Sequence, residues 1–264
     1  MDVLDKFPTA DTPKDGMRKI TNCLDRHVRW PIKAVVVGIA GVVDAENKKL
    51  FSSPNLPTWV GEPLAPHLED FADLDTVYMV NDTDLGGLGE AHEGAGSKKG
   101  ITAYFTVGTG VGGSRIVDGR IDRSTYGFEP GHQVIDVSDY LAAEEASKEG
   151  SIRGHLEYYV SGQNIEKRAG KSAADIHDEG LWATFENQLV AALNNVIVFW
   201  SPDTVVLGGS MVTRNEYISF AYLQKALEKR LKIFPEVPTI QRAVLQDDAG
   251  LVGAAVYLRQ QLSK

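Results

Sequence analysis

Apolar positions along the chain fall into two kinds of block, and the blocks alternate. Met17, Ile20, Leu24 and Val28 recur at spacings of three and four, which predicts an amphipathic helix over 13–29 opened by Pro13. Residues 32–39 are largely β-branched and almost wholly apolar, the pattern of a strand buried on both faces. Leu64, Leu68 and Phe71 predict a short helix, and residues 76–80 a second buried strand that runs into Asn81-Asp82. The small residues of 85–96 predict a helix packed very closely on a neighbour. Segments 102–107 and 113–117 flank a glycine-rich turn and predict a β-hairpin. Further helices are predicted over 139–150, 182–200, 222–231 and 250–262, with a short strand at 204–207. Strands alternating with helices make this an α/β protein.

Composition narrows the class. The chain has 264 residues, 43% hydrophobic and 24% charged, which excludes a disordered or fibrous protein. Its net charge of −9 argues against nucleic acid as a partner, because phosphate contacts need clustered Lys and Arg. The longest apolar run, 190–200, is broken by Asn194 and Asn195 and falls short of the roughly 18 residues a membrane span requires. Cys23 is the only cysteine, so an intramolecular disulfide and any site built on several thiolates are excluded. The first residues carry neither a basic segment nor an apolar core of signal type, and a cytoplasmic protein is expected.

Four local patterns carry candidate chemistry, each with a plainer reading beside it. The run Gly108-Thr109-Gly110-Val111-Gly112-Gly113 can bring backbone N–H groups and a hydroxyl onto phosphate oxygens, or simply make a tight hairpin. Asn81-Asp82 stands just past a buried strand, where open α/β sheets hold ligands; the alternative is capping of the next helix. Glu129 and His132, with His155 and Glu157 further on, suit bidentate bonding to vicinal hydroxyls, a metal, or solvated surface. Gly208-Gly209 ends a strand and either admits a flat ligand against bare backbone or makes only a turn. Trp59 reads as packing.

Order and spacing say more than any one motif. The series GIAGVVD (38–44), SPNLPTW (53–59), NDTDLGGLGE (81–90), GAG (94–96), GTGVGG (108–113), VDGR (117–120), EPGH (129–132), HLE (155–157) with SG (161–162), PDTVVLGGSM (202–211) and GLVGAA (250–255) resembles the ROK family of sugar kinases and sugar-responsive repressors. The resemblance runs from about residue 8 to the end. It implies an actin-like (ribonuclease H-like) two-domain ATPase fold with an interdomain cleft. A small N-terminal domain would comprise 1–96 plus 249–264, and a large C-terminal domain 97–248. It also implies an ATP-dependent kinase acting on the 6-hydroxyl of a glucose-type or N-acetylated hexose, with Mg²⁺. Asp82 would be the general base. Asn81, Glu129, His132 and Glu157, with Asn55, would grip the sugar. Gly108, Thr109, Gly110 and Gly112 would form a phosphate loop, and Gly208-Gly209 would meet adenosine. A homodimer is expected.

Two departures from the family pattern are visible. No Asp-x-Gly-Gly-Thr phosphate loop occurs in the chain, which reads as starting at the family's third strand, with the first strands missing. A shortened homologue or an upstream start is the expectation, and a catalytically impaired sugar-binding sensor or regulator is the alternative function. The second is the family's zinc cysteines: residues 133–156 contain none, and His155 occupies the place of the last, so no zinc is expected. A polyphosphate donor would call for an added Lys/Arg cluster, and none is present.

Overall fold

The computed structural model describes residues 3, 5–28, 31–69, 76–143 and 152–263. Helix α1 (Pro13–His27) is capped by Thr12, whose hydroxyl accepts from the Asp15 amide, and Pro13 begins it. Strand β1 (Ala34–Ile39) leads to a hairpin of β2 (Val42–Asp44) and β3 (Lys49–Ser52), followed by the short α2 (Ala65–Glu69). Strand β4 (Thr76–Asn81) pairs parallel with β1 in unbroken register from Ala34–Thr76 to Ile39–Asn81. Met17, Ile39, Leu50, Trp59 and Val77 form the core beneath this pair. Trp59 is packing, as expected: it is buried, its indole N–H donates to the Ala10 carbonyl, and its ring lies against Gly16 of α1.

One expectation fails here. The 32–39 block is not buried on both faces: Val35, Val36 and Val37 are half-buried and Gly38 is exposed. Strand β1 has β4 on one edge and no strand on the other among the described residues. Among the described residues no layer closes over both faces of β1 enough to bury these valines. The helix expected through Phe71 is present as far as Glu69, and Phe71 lies outside the described residues.

Helix α3 (Asp82–Glu93) follows β4 directly. The chain then builds β5 (Ile101–Val107), β6 (Val111–Val117) and β7 (Arg120–Ile121), an antiparallel meander. Of the helix expected over 139–150, α4 (Val137–Ala142) is present, and 144–151 lie outside the described residues. Next come α5 (Leu156–Val160), α6 (Gly162–Ala169) and the long α7 (Glu179–Trp200). Strand β8 (Thr204–Gly208), α8 (Ser210–Thr213), α9 (Phe220–Arg230) and β9 (Thr239–Arg242) complete a five-stranded sheet ordered β7-β6-β5-β8-β9. Strands β5, β8 and β9 run parallel. Phe105, Leu189, Leu193, Val205 and Leu207 sit in its core at 0% exposure.

The last helix, α10 (Ala249–Leu262), returns to lie along α3 and touch β1. The small residues predicted to allow close packing do so. A Cβ on Gly253 would stand 1.8 Å from the Leu85 carbonyl oxygen, and one on Gly89 2.3 Å from that of Ala249. Glu90, wholly buried on α3, accepts from the amides of Ala95, Val244 and Leu245, pinning α3 to the segment that enters α10.

Candidate active site

Between the two sheets lies a cavity of about 1160 Å³. It gathers Asn55, Asn81, Asp82, Glu129, His132 and Glu157 together with Gly108, Thr109, Gly110 and Gly112. Residues separated by a hundred positions in sequence thus share one wall, because β4, the β5–β6 turn and the 129–132 turn all end there.

At the end of β4, both readings of Asn81-Asp82 turn out to be occupied by different residues. Asn81 is the cap of α3: its Oδ1 accepts from the amides of Thr83 (2.8 Å) and Asp84 (3.0 Å), and its Nδ2 donates to the Gly41 carbonyl. Asp82 is freed from capping and lines the cavity, its Oδ1 accepting from the Thr83 amide at 2.8 Å. Its carboxylate is open to cavity water yet ringed by protein. Loss of solvation raises its pKa, against the lowering effect of the Thr83 amide.

The glycine-rich turn is held from two sides. Gly108 accepts from the Gly162 amide at 2.7 Å and Thr109 from Gln163, so the turn rests on the start of α6. The Val111 amide donates to Glu157 Oε2 at 2.7 Å, and a Cβ on Gly110 would stand 2.9 Å from that same oxygen. A side chain there would have to displace the Glu157 carboxylate. Pro130 begins a single 3₁₀ turn that carries Glu129 and His132 into the cavity. Burial raises the Glu129 pKa, His132 opposes this, and Glu157 adds to it. His132 Nδ1 meets His155 Nδ1 at 3.4 Å, and His155, stacked on Tyr140, has its pKa lowered by burial and by His132.

Gly208-Gly209 does not join them. Their glycines answer to packing: a Cβ on Gly208 would stand 2.7 Å from the Tyr104 hydroxyl, and Gly209, at φ +83°, would meet the Val107 carbonyl at 2.1 Å. The turn instead delivers Ser210 and Met211 to a separate 400 Å³ cavity with Trp182 and Tyr217. Met211 lies against Gly162, the residue dividing the two spaces.

Sequence reasoning missed Asp84 and Ser114. The Ser114 hydroxyl donates to Asp84 Oδ1 at 2.7 Å, joining α3 to β6 directly below the cavity. Burial, with a contribution from Asp82, pushes the Asp84 pKa up to about 6. The two acids stand at alternate positions of NDTD, which reads as an ordinary acidic first turn; nothing in that spacing marks one of them as buried. Gln163, also on the cavity wall, follows an expected motif but belongs to no pattern that could single it out.

Comparison with known proteins agrees with the geometry. The ROK family profile matches residues 5–261. A glucokinase from Thermotoga maritima is 26% identical over 254 residues, spanning 86% of this chain and 80% of its own. An N-acetyl-D-glucosamine kinase from Yersinia pseudotuberculosis is 28% identical over 247 residues, 84% of this chain and 79% of its own. The crystal structure of a ROK glucokinase from Streptomyces griseus, in complex with glucose and AMPPNP, superposes with a TM-score of 0.78 at 25% identity. That match covers 97% of this chain and 91% of the other. The fold is therefore the actin-like ATPase fold. Among the described residues no helix is long and apolar enough to cross a membrane.

Proposed function

The chain belongs to the ROK family, and from that premise we propose that it phosphorylates the 6-hydroxyl of a hexose with MgATP as co-substrate. The observation carrying this reading is that one cavity holds Asp82, the Glu129–His132–Glu157 cluster and the glycine-rich turn together. Asp82 takes the proton of the sugar hydroxyl as its oxygen forms a bond to the γ-phosphorus. The bond between that phosphorus and the bridging oxygen breaks, and ADP leaves with the electron pair. Asn81, fixed by its cap and by Gly41, orients the acceptor, while Glu129, His132, Glu157 and Asn55 hold the remaining hydroxyls. Backbone of 108–112 meets the phosphates. Phosphoryl transfer asks mainly for alignment and charge neutralisation, which such a wall supplies.

Mg²⁺ arrives with the nucleotide. Among the described residues no trio of acidic, His or Cys side chains gathers to hold a metal. In this reading the ion would be carried mostly by phosphates and water. The adenosine end would pass over Gly162 toward Ser210 and Met211 rather than onto Gly208-Gly209. The domains would be 1–96 plus 249–264 and 97–248, closing on the sugar to exclude water.

The test is ADP release from MgATP over a panel of hexoses. Asp82→Asn is expected to lower kcat by about 10²–10⁴-fold with little change in sugar affinity. Full activity in that variant would refute the mechanism. The raised pKa of Asp82 also sets a sign: the base must be ionised, so kcat/KM falls on acidification at a pH above the ordinary carboxylate range. The second reading is a sugar-binding sensor without phosphoryl transfer. Hexose binding with no turnover and no nucleotide binding would establish it.

A further inference from the structure

The reaction proposed above uses one of two cavities that meet at the sugar-contacting residues. The second, of about 740 Å³, shares Gly41, Phe51, Asn81 and Glu129 with the first and extends away from Asp82 toward residues 120–128 and the end of α10. Pockets that hold small molecules measure about 300–1,000 Å³, so this space alone can take a further ring.

Its lining carries charges of both signs. Asp44 and Glu46 come from the β2–β3 hairpin, Asp84 from α3, and Arg120 and Arg123 from β7 and the loop after it, with the neutral amide of Gln260 from α10 beside them. Arg115, nearby on β6, is paired with Asp122, whereas the guanidiniums of Arg120 and Arg123 make no ion pair among the described residues. An anion entering here would face Asp44, Glu46 and Glu129. An apolar acyl group would leave the guanidiniums unmatched. A neutral polyol satisfies both sets, because each hydroxyl donates to a carboxylate and accepts from a guanidinium or amide.

Where the cavities join, two exposed aromatic rings meet. Phe51 of β3 and Tyr126 of the 122–129 loop pack edge to face at 6.2 Å and 83°, with 53% and 64% of each residue still exposed. They come from opposite sides of the cleft. An aromatic face beside polar groups receives the C–H face of a pyranose, its apolar side covered while its hydroxyls point to the surrounding donors and acceptors.

We propose that the substrate spans both cavities and is a disaccharide. Its first hexose presents a hydroxyl to Asp82. Its second ring lies against Phe51 and Tyr126, with Arg120 and Arg123 on its hydroxyls. This deepens the hexose-kinase reading, on which it rests for the first ring, by naming the substrate class.

Titration calorimetry on the full chain, with glucose, N-acetylglucosamine and α- and β-linked glucose disaccharides, tests it. At least one disaccharide is expected to bind ten-fold or more tightly than its component monosaccharide. Tyr126→Ala and Arg123→Ala, both at exposed positions, should each cut that ratio below three-fold while circular dichroism is unchanged. A ratio near one for every linkage, or a ratio unmoved in both variants, overturns the proposal. ADP release measured alongside keeps the two readings apart. Hexoses that bind and turn over with no disaccharide advantage refute only the two-ring site. A disaccharide that binds tightly without turnover supports the two-ring site and refutes the kinase. No binding by any sugar refutes both.

Discussion

Strands β1 and β8 have nearly interchangeable sequences, AVVVGI and TVVLG, and each opens a parallel pairing, yet their fates differ. Strand β8 lies between β5 and β9 with helices over it, and Val205, Val206 and Leu207 are entirely buried. Among the described residues strand β1 has a neighbour on one edge, and its three valines are only half-covered. Apolar content sets what a strand gains from cover. The number of neighbours decides how much cover it receives.

The most disruptive way to probe the contrast is to attack the helix crossing that joins the two sheets. Gly253→Ala would drive a methyl group into the Leu85 carbonyl and is expected to cost about 3 kcal/mol or more, the upper range for overpacking. Urea denaturation should show both regions weakened together. If only the β1–β4 region melts early, the crossing is not what couples them. Next in size is a matched pair of truncations. Val205→Ala in β8 removes two fully buried methyl groups and should cost about 2–3 kcal/mol; Val36→Ala in β1 should cost under about 1 kcal/mol. Equal costs in thermal melts would mean that β1 is better covered than its exposure says.

The smallest effect concerns the tie between α3 and β6. Asp84 has a pKa raised from 3.8 to about 6, so the folded state binds its proton more tightly than the unfolded chain does. That contribution is fully present below pH 3.8 and is lost as the pH rises through about 6. Asp84→Asn keeps an acceptor for the Ser114 hydroxyl and removes the buried charge. It should stabilise the protein by about 1–2 kcal/mol at pH 7.5 and by almost nothing near pH 4. Melting temperatures at the two pH values, compared with wild type, check the sign.

Local periodicity found most of the elements. The 13–27 helix, the 101–117 hairpin and the last helix all announce themselves through spacing, and the glycines of α3 announced a close neighbour without saying which. Burial was less legible, because β1 looks as apolar as any central strand, and only the sheet order shows that β4 is its one strand partner among the described residues. Strand β9, only four residues long with Ile240 its one buried position, has too little pattern to be found. In the site, the family motifs led to the residues that share the cavity. Gly208-Gly209 lies off the shared cavity wall, and its glycines have packing contacts of their own in the Tyr104 ring and the Val107 carbonyl. Asp84 stayed hidden because its partner, Ser114, is thirty residues away on another element.

The return of α10 onto α3 and β1 also fixes an order of events during synthesis. Helix α3 is complete once residue 93 has been made, but the surface that covers it begins at residue 249. At about 5–20 residues per second, the ribosome leaves that face without its partner for roughly ten to thirty seconds. The larger core, by contrast, draws its buried residues from Ala103 to Ile240, all made before α10. Helix α3 is therefore finished late, its glycine-lined face waiting in the open until residues 249–262 have left the exit tunnel.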